Sequence, residues 1–129
     1  MKPRFFLSSS SEQLSIAEAL ESNLADAGFE PTLWSREGHG ASEYNLEALL
    51  REAWSSDFAV FVFVPDDQVV IRGEAFSVVR DNVLFELGLF IGVLGRDRCL
   101  IVRGEEQAMR LPSDLAGLTT LKYDHQRSD

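Results

Sequence analysis

One carboxylate stands where carboxylates rarely stand. From Val83 to Gly95 the sequence reads VLFELGLFIGVLG, and Glu86 is its only polar side chain. Leaving an ion unpaired among Leu84, Phe85, Leu87 and Leu89 costs several kcal/mol. Glu86 must therefore reach water in a cleft or find a partner such as Arg80 or Arg72. Desolvation raises the pKa of a buried acid, which suits catalysis, but structural ion pairs perturb acids too. Spacing alone leaves both roles open.

Other residues offer weaker chemistry. Ser8 to Ser11 form a run of four serines after the apolar RFFL stretch. Hydroxyls and free amides at a strand end and a helix start suit a phosphate or a ribose, or serve simply as a solvated cap. The run is neither a glycine-rich dinucleotide fingerprint nor a Walker loop. Trp34 can stack on a base or pack in a core. Asp66 and Asp67 show no third ligand and read as solvated. Gly88 and Gly92 permit close approach to a helix backbone, by a ligand, a partner subunit or, as the favoured expectation, the central strand.

Composition narrows the classes. The chain has 129 residues, enough for one domain that buries about two thirds of its unfolded surface without a staple. A net charge of -9 argues against a nucleic-acid-binding domain. Cys99 is the single cysteine, and with only His39 and His125 beside it no structural zinc site is expected. No apolar run is long enough to span a membrane. The N-terminus lacks the h-region of a signal peptide, so the cytoplasm is the expected compartment.

These residues need elements to hold them. Arg4 to Leu7 predicts a buried strand. Leu14, Ala17, Leu20, Leu24 and Ala27 recur at helical spacing, and Gly28 suits the C′ position. Pro31 to Trp34 predicts an edge strand. Leu46, Leu49, Leu50, Ala53 and Trp54 form the apolar stripe of a second helix starting at Ser42. Phe58 to Val64 (FAVFVFV) predicts a central strand buried on both faces. Pro65 to Val79 shows no clear period and reads as a long functional loop. A helix over Val83 to Leu94, a strand over Cys99 to Val102 and a short strand over Leu121 to Tyr123 complete the pattern. Alternation of this kind predicts an α/β, flavodoxin-like three-layer fold with a five-stranded parallel sheet in the order 2-1-3-4-5. Ligands of such folds bind at the carboxyl ends of the strands.

Four stretches carry a family resemblance: FFLSSSSEQLSIAEAL, SDFAVFVFVPDDQVVIRGE, RDNVLFELGLFIGVLGRDRCLIV and LPSDLAGLTTLKYD. Together they resemble the TIR domains of bacterial cyclic-nucleotide-activated anti-phage effectors, among them the TIR-STING proteins and the Pycsar TIR effectors. The resemblance implies a TIR domain over residues 1–124 that cleaves the nicotinamide–ribose bond of NAD as substrate, with no cofactor and no metal. It implies Glu86 as the catalytic residue. It maps Ser8, Ser9 and Ser10 onto the NAD pocket, and Arg80, Asp81 and Asn82 onto the lead-in to the catalytic helix. Those three could equally cap the helix and anchor the loop before it. Trp34 is a candidate for stacking on a ring of the substrate. The resemblance also implies self-association through the TIR domain, with the Pro65 to Val79 loop as the candidate contact. Residues 125–129 then start a linker to a sensor domain for a cyclic nucleotide. Nucleic acid and membrane are not expected partners.

Two further classes share parts of this pattern. A non-catalytic TIR adaptor would keep Glu86 as a structural ion. A nucleoside deoxyribosyltransferase-like enzyme would use a glutamate on a ribosyl carbon and exchange bases. A phosphoacceptor receiver domain fits poorly, because its acidic cluster would fall where the serines stand.

Overall fold

The computed structural model describes residues 2–9, 14–34, 45–65, 67–104 and 109–123. The elements are β1 (Arg4–Ser8), α1 (Leu14–Asp26), β2 (Glu30–Leu33), α2 (Asn45–Ser55), β3 (Phe58–Phe63), β4 (Asp67–Ile71), β5 (Glu74–Val78), α3 (Asp81–Leu94), β6 (Cys99–Gly104) and β7 (Thr119–Tyr123). Strands β2-β1-β3-β6-β7 form one five-stranded sheet, and each neighbouring pair is parallel. The predicted α/β class and parallel sheet are present. Counted among the parallel strands alone, the order is 2-1-3-4-5, because β4 and β5 lie outside the sheet.

The sheet is buried on both faces, as parallel crossovers require. Along β3, Ala59, Phe61 and Phe63 join one core, while Val60 and Val62 join the other. The first core lies under α2 and α3, with Ala48, Leu49 and Ala53 from α2 and Val83, Leu87 and Phe90 from α3. Ile16, Leu20 and Leu24 of α1 cover the opposite core. Gly28 adopts a φ of 95° just past α1, the backbone conformation that only glycine enters freely.

Three expectations need correction. Pro65 to Val79 is not an irregular loop: β4 and β5 pair antiparallel across a two-residue turn. Arg72 (φ 52°) and Gly73 (φ 81°) both take positive φ, as a type I′ hairpin demands. Arg-Gly lacks the asparagine or aspartate that marks such turns, and strands this exposed keep no clean alternation. The hairpin is tied down by Arg110, whose amide donates to the Ser77 carbonyl at 2.7 Å and whose guanidinium lies 4.8 Å from the Phe76 ring centre.

Secondly, the stripe that α2 buries only partly matches the expected one, keeping Leu49 and Ala53 but not Leu46 and Trp54. Ala48, Leu49 and Ala53 face the sheet, whereas Leu46 is 49% and Trp54 70% exposed. Thirdly, Gly88 and Gly92 do not pack on the central strand. Both are exposed on α3, and a Cβ added at either would meet nothing within 4 Å. The predicted start of α2 at Ser42 and the tail from residue 125 lie outside the described residues.

Candidate active site at the carboxyl edge of the sheet

The site begins with a seam between β1 and α3. Val83, Glu86, Leu87 and Phe90 are the buried residues of α3, spaced as one helical face. Phe90 stacks on Phe6 with ring centres 4.2 Å apart and meets the edge of Phe61 at 5.7 Å. One step towards the carboxyl end of β1 and one turn back along α3, Ser8 meets Glu86. The Ser8 hydroxyl donates to Glu86 Oε1 at 2.6 Å. Helix and strand therefore run antiparallel, and the start of α3 stands over the carboxyl ends of the strands.

Glu86 is only 4% exposed and Ser8 fully buried. At 2.6 Å the Ser8–Glu86 contact is a short hydroxyl–carboxyl hydrogen bond, near the lower end of the O–H···O range of about 2.5–3.0 Å. A buried carboxylate held by a donor at a strand end can stabilise positive charge developing on a neighbouring group. The sequence offered water or an arginine as the partner of Glu86. It missed Ser8, whose role follows from strand alternation: Leu7 joins the α1 side of the sheet, so Ser8 faces the α3 side.

The other candidates fall around this pair. Ser9 follows β1 and is 4% exposed. Ser10 lies outside the described residues. Trp34 follows β2, its amide donating to the Leu7 carbonyl at 2.9 Å. Its ring is 6% exposed and packs 5.7 Å from Phe6, so it serves the core in this conformation, and stacking on a ligand would require it to be uncovered. Arg80 is the N-cap residue of α3 without a side-chain cap bond, and its carbonyl accepts from the Val83 amide at 3.0 Å. Asp81 and Asn82 are exposed in the first turn, where Asp81 suits the positive end of the helix dipole. Asn82 precedes Glu86 by four residues and so shares its side of the helix. Arg72 sits in the hairpin turn and is exposed.

Arg103 is a further charge at this edge that the sequence reading passed over. It pairs in register with Phe63 and, by alternation with Cys99 and Ile101, lies on the α3 side of the sheet. A cavity of about 210 Å³ elsewhere, lined mainly by Ile101, Leu111, Leu115 and Leu118, is apolar and contains none of the candidate site residues. Among the described residues no group of His, Cys, Asp and Glu is placed to hold a metal ion. No helix among them is long and apolar enough to cross a membrane.

A doubly wound sheet with one buried carboxylate at its carboxyl edge defines a flavodoxin-like α/β domain with an acid site at the switch region. Comparison with known proteins gives the family. A model of the TIR domain of CAP12/Pycsar effector proteins matches residues 4–125, and the chain belongs to that family. It is 43% identical over 124 residues to the Pycsar effector protein PaPycTIR of Pseudomonas aeruginosa, covering 96% of this chain and 40% of that protein. It is 40% identical over 124 residues to CD-NTase-associated protein 12 of Flavobacterium daejeonense, covering 96% of this chain and 39% of that protein. BcPycTIR of Burkholderia cepacia is 40% identical over 122 residues, covering 95% of this chain and 40% of that protein. The chain thus spans about 40% of the length of these relatives.

Proposed function

We propose that this TIR domain cleaves the nicotinamide–ribose bond of NAD, as the toxic part of an anti-phage effector switched on by a cyclic nucleotide. The observation that carries the proposal is Glu86, 4% exposed at the carboxyl edge of the sheet and hydrogen-bonded by Ser8. Nicotinamide leaves NAD as a neutral base, so no acid has to protonate it. Breaking the bond builds positive charge on the ribose, as in other glycoside cleavages. A carboxylate beside that sugar stabilises the charge. Water then adds at the anomeric carbon and loses a proton, giving ADP-ribose, or a ribose hydroxyl of the same molecule adds and gives a cyclic form. The serines after Ser8, with Asn82 and the lead-in to α3, would hold the ribose and phosphate oxygens.

Loss of NAD harms the cell that makes the protein, so activity would depend on assembly. Self-association is supported by the apolar side chains left outward: Trp54 at 70%, Phe85 at 57% and Val70 on the hairpin at 70% exposure. Names of the relatives, Pycsar effector and CD-NTase-associated protein, support a link to cyclic-nucleotide signalling. The cyclic nucleotide would act through a sensor beyond this domain. Measuring nicotinamide release per molecule against protein concentration tests the assembly step. The rate should rise with concentration; a rate that stays high and flat on dilution contradicts it. An assembled protein that leaves NAD intact would favour the adaptor class, and base exchange on deoxynucleosides would favour the transferase.

A further inference from the structure

We propose that Ser8 is a positioning residue for Glu86, and that the serine run begins to contact substrate only after it. This rests on the reading of Glu86 as the catalytic carboxylate and changes the role that the family resemblance implies for Ser8. The Ser8 side chain has no exposed surface to offer a ligand. A serine hydroxyl carries one proton, and here that proton is donated to Glu86 Oε1 at 2.6 Å.

The backbone fixes both ends of this bond. Two residues along a strand advance about 6.6 Å, and four along a helix advance about 6 Å. Phe6–Phe90 and Ser8–Glu86 are therefore successive rungs of one antiparallel seam between β1 and α3. β1 is paired on both sides, to β2 and to β3, with Ser8 in register with Phe61. Neither element can slide without breaking the Phe6–Phe90 stack. On a seam this tightly set the Ser8 bond holds one oxygen of the Glu86 carboxyl in place, and a donor on that oxygen favours the charged form. The surroundings on this face are Phe6, Phe61 and Phe63 from the sheet and Val83 and Leu87 from α3. Among the described residues, Arg80 and Asp81 at the start of α3 and Arg103 at the end of β6 are charged groups placed at this same edge of the sheet.

The test compares Ser8→Ala, the near-isosteric Ser8→Cys and Ser8→Thr with the unaltered protein. The first readout needs no turnover: the protonation midpoint of Glu86 by carboxyl-carbon NMR, its signal assigned by loss in Glu86→Gln. The midpoint should rise in Ser8→Ala and Ser8→Cys and return towards the original in Ser8→Thr. The second readout is NAD cleavage, where kcat should fall about tenfold to a hundredfold, the size expected for a lost hydrogen bond to a charged group, with KM changed less than about threefold. An unmoved midpoint overturns the proposal, as does a raised KM with unchanged kcat, which would mean that Ser8 touches substrate. If the unaltered protein cleaves no NAD even when assembled, the enzyme reading falls, while the NMR comparison still decides what Ser8 does.

Discussion

Phe90→Ala should loosen the seam that holds the site, and its cost can be worked out in advance. Phe90 has no exposed surface, stacks on Phe6 at 4.2 Å and meets Phe61 edge-on at 5.7 Å. Truncating a buried phenylalanine costs about 3–5 kcal/mol, including the lost aromatic pairs and the cavity left behind. A domain of this size has roughly 5–15 kcal/mol in total, so the variant loses a third or more of its stability if that total lies towards the lower half of the range. The control is Phe85→Ala on the same helix. Phe85 is 57% exposed, and its loss should cost under about 1 kcal/mol. Urea titration followed by tryptophan fluorescence reads both, because Trp34 is buried against Phe6 while Trp54 is 70% exposed and changes little on unfolding. With equal m-values, the difference between midpoints gives the free energies. Equal losses in the two variants, or a loss below about 1 kcal/mol for Phe90→Ala, would refute the placing of α3 on β1.

Further predictions concern the rest of the chain. Cys99 is fully buried, and burial pushes its thiol up to about 11, so the native protein should resist thiol reagents at pH 8 and react once per chain after denaturation. Its ordinary pKa is 9.0, so the unfolded chain ionises first; this group's effect on stability is absent below about pH 9 and stability falls as pH climbs towards 11. Unfolding midpoints measured from pH 7 to 11 check the sign. Gly88→Ala and Gly92→Ala should each raise stability by about 0.5–1 kcal/mol, because both sites are exposed in mid-helix with open space for a methyl group. Thermal melts check this; a loss in either variant would show that the outward face of α3 is packed.

Much of this fold is legible in the residues, and the failures have physical causes. FAVFVFV could only be a strand buried on two sides, and its neighbours followed from alternation. The apolar character of α3 was plain from VLFELGLFIGVLG, and so was the anomaly of Glu86, although which face is buried was not. What spacing could not give was the partner of that acid, because Ser8 lies 78 residues away in sequence. The hairpin was hidden because Arg72-Gly73 is an uncommon turn pair and its exposed strands carry no period. The α2 stripe was half legible: Leu49 and Ala53 are buried as expected, but the buried row continues through Ala48, while the larger Leu46 and Trp54 face outward. Trp34 shows the same limit: its place at a strand end left both a ligand and the core open, and the partner that settles its packing, Phe6, sits on the neighbouring strand β1, which spacing alone does not reveal.

The central claim is that Glu86 breaks the bond between nicotinamide and ribose. Nicotinamide release from NAD by the assembled protein, measured beside Glu86→Gln at matched folding, tests it most directly. The account predicts turnover by the unaltered protein and a loss of at least about a hundredfold in the variant. Equal rates in the two proteins, or no release from either, would contradict it.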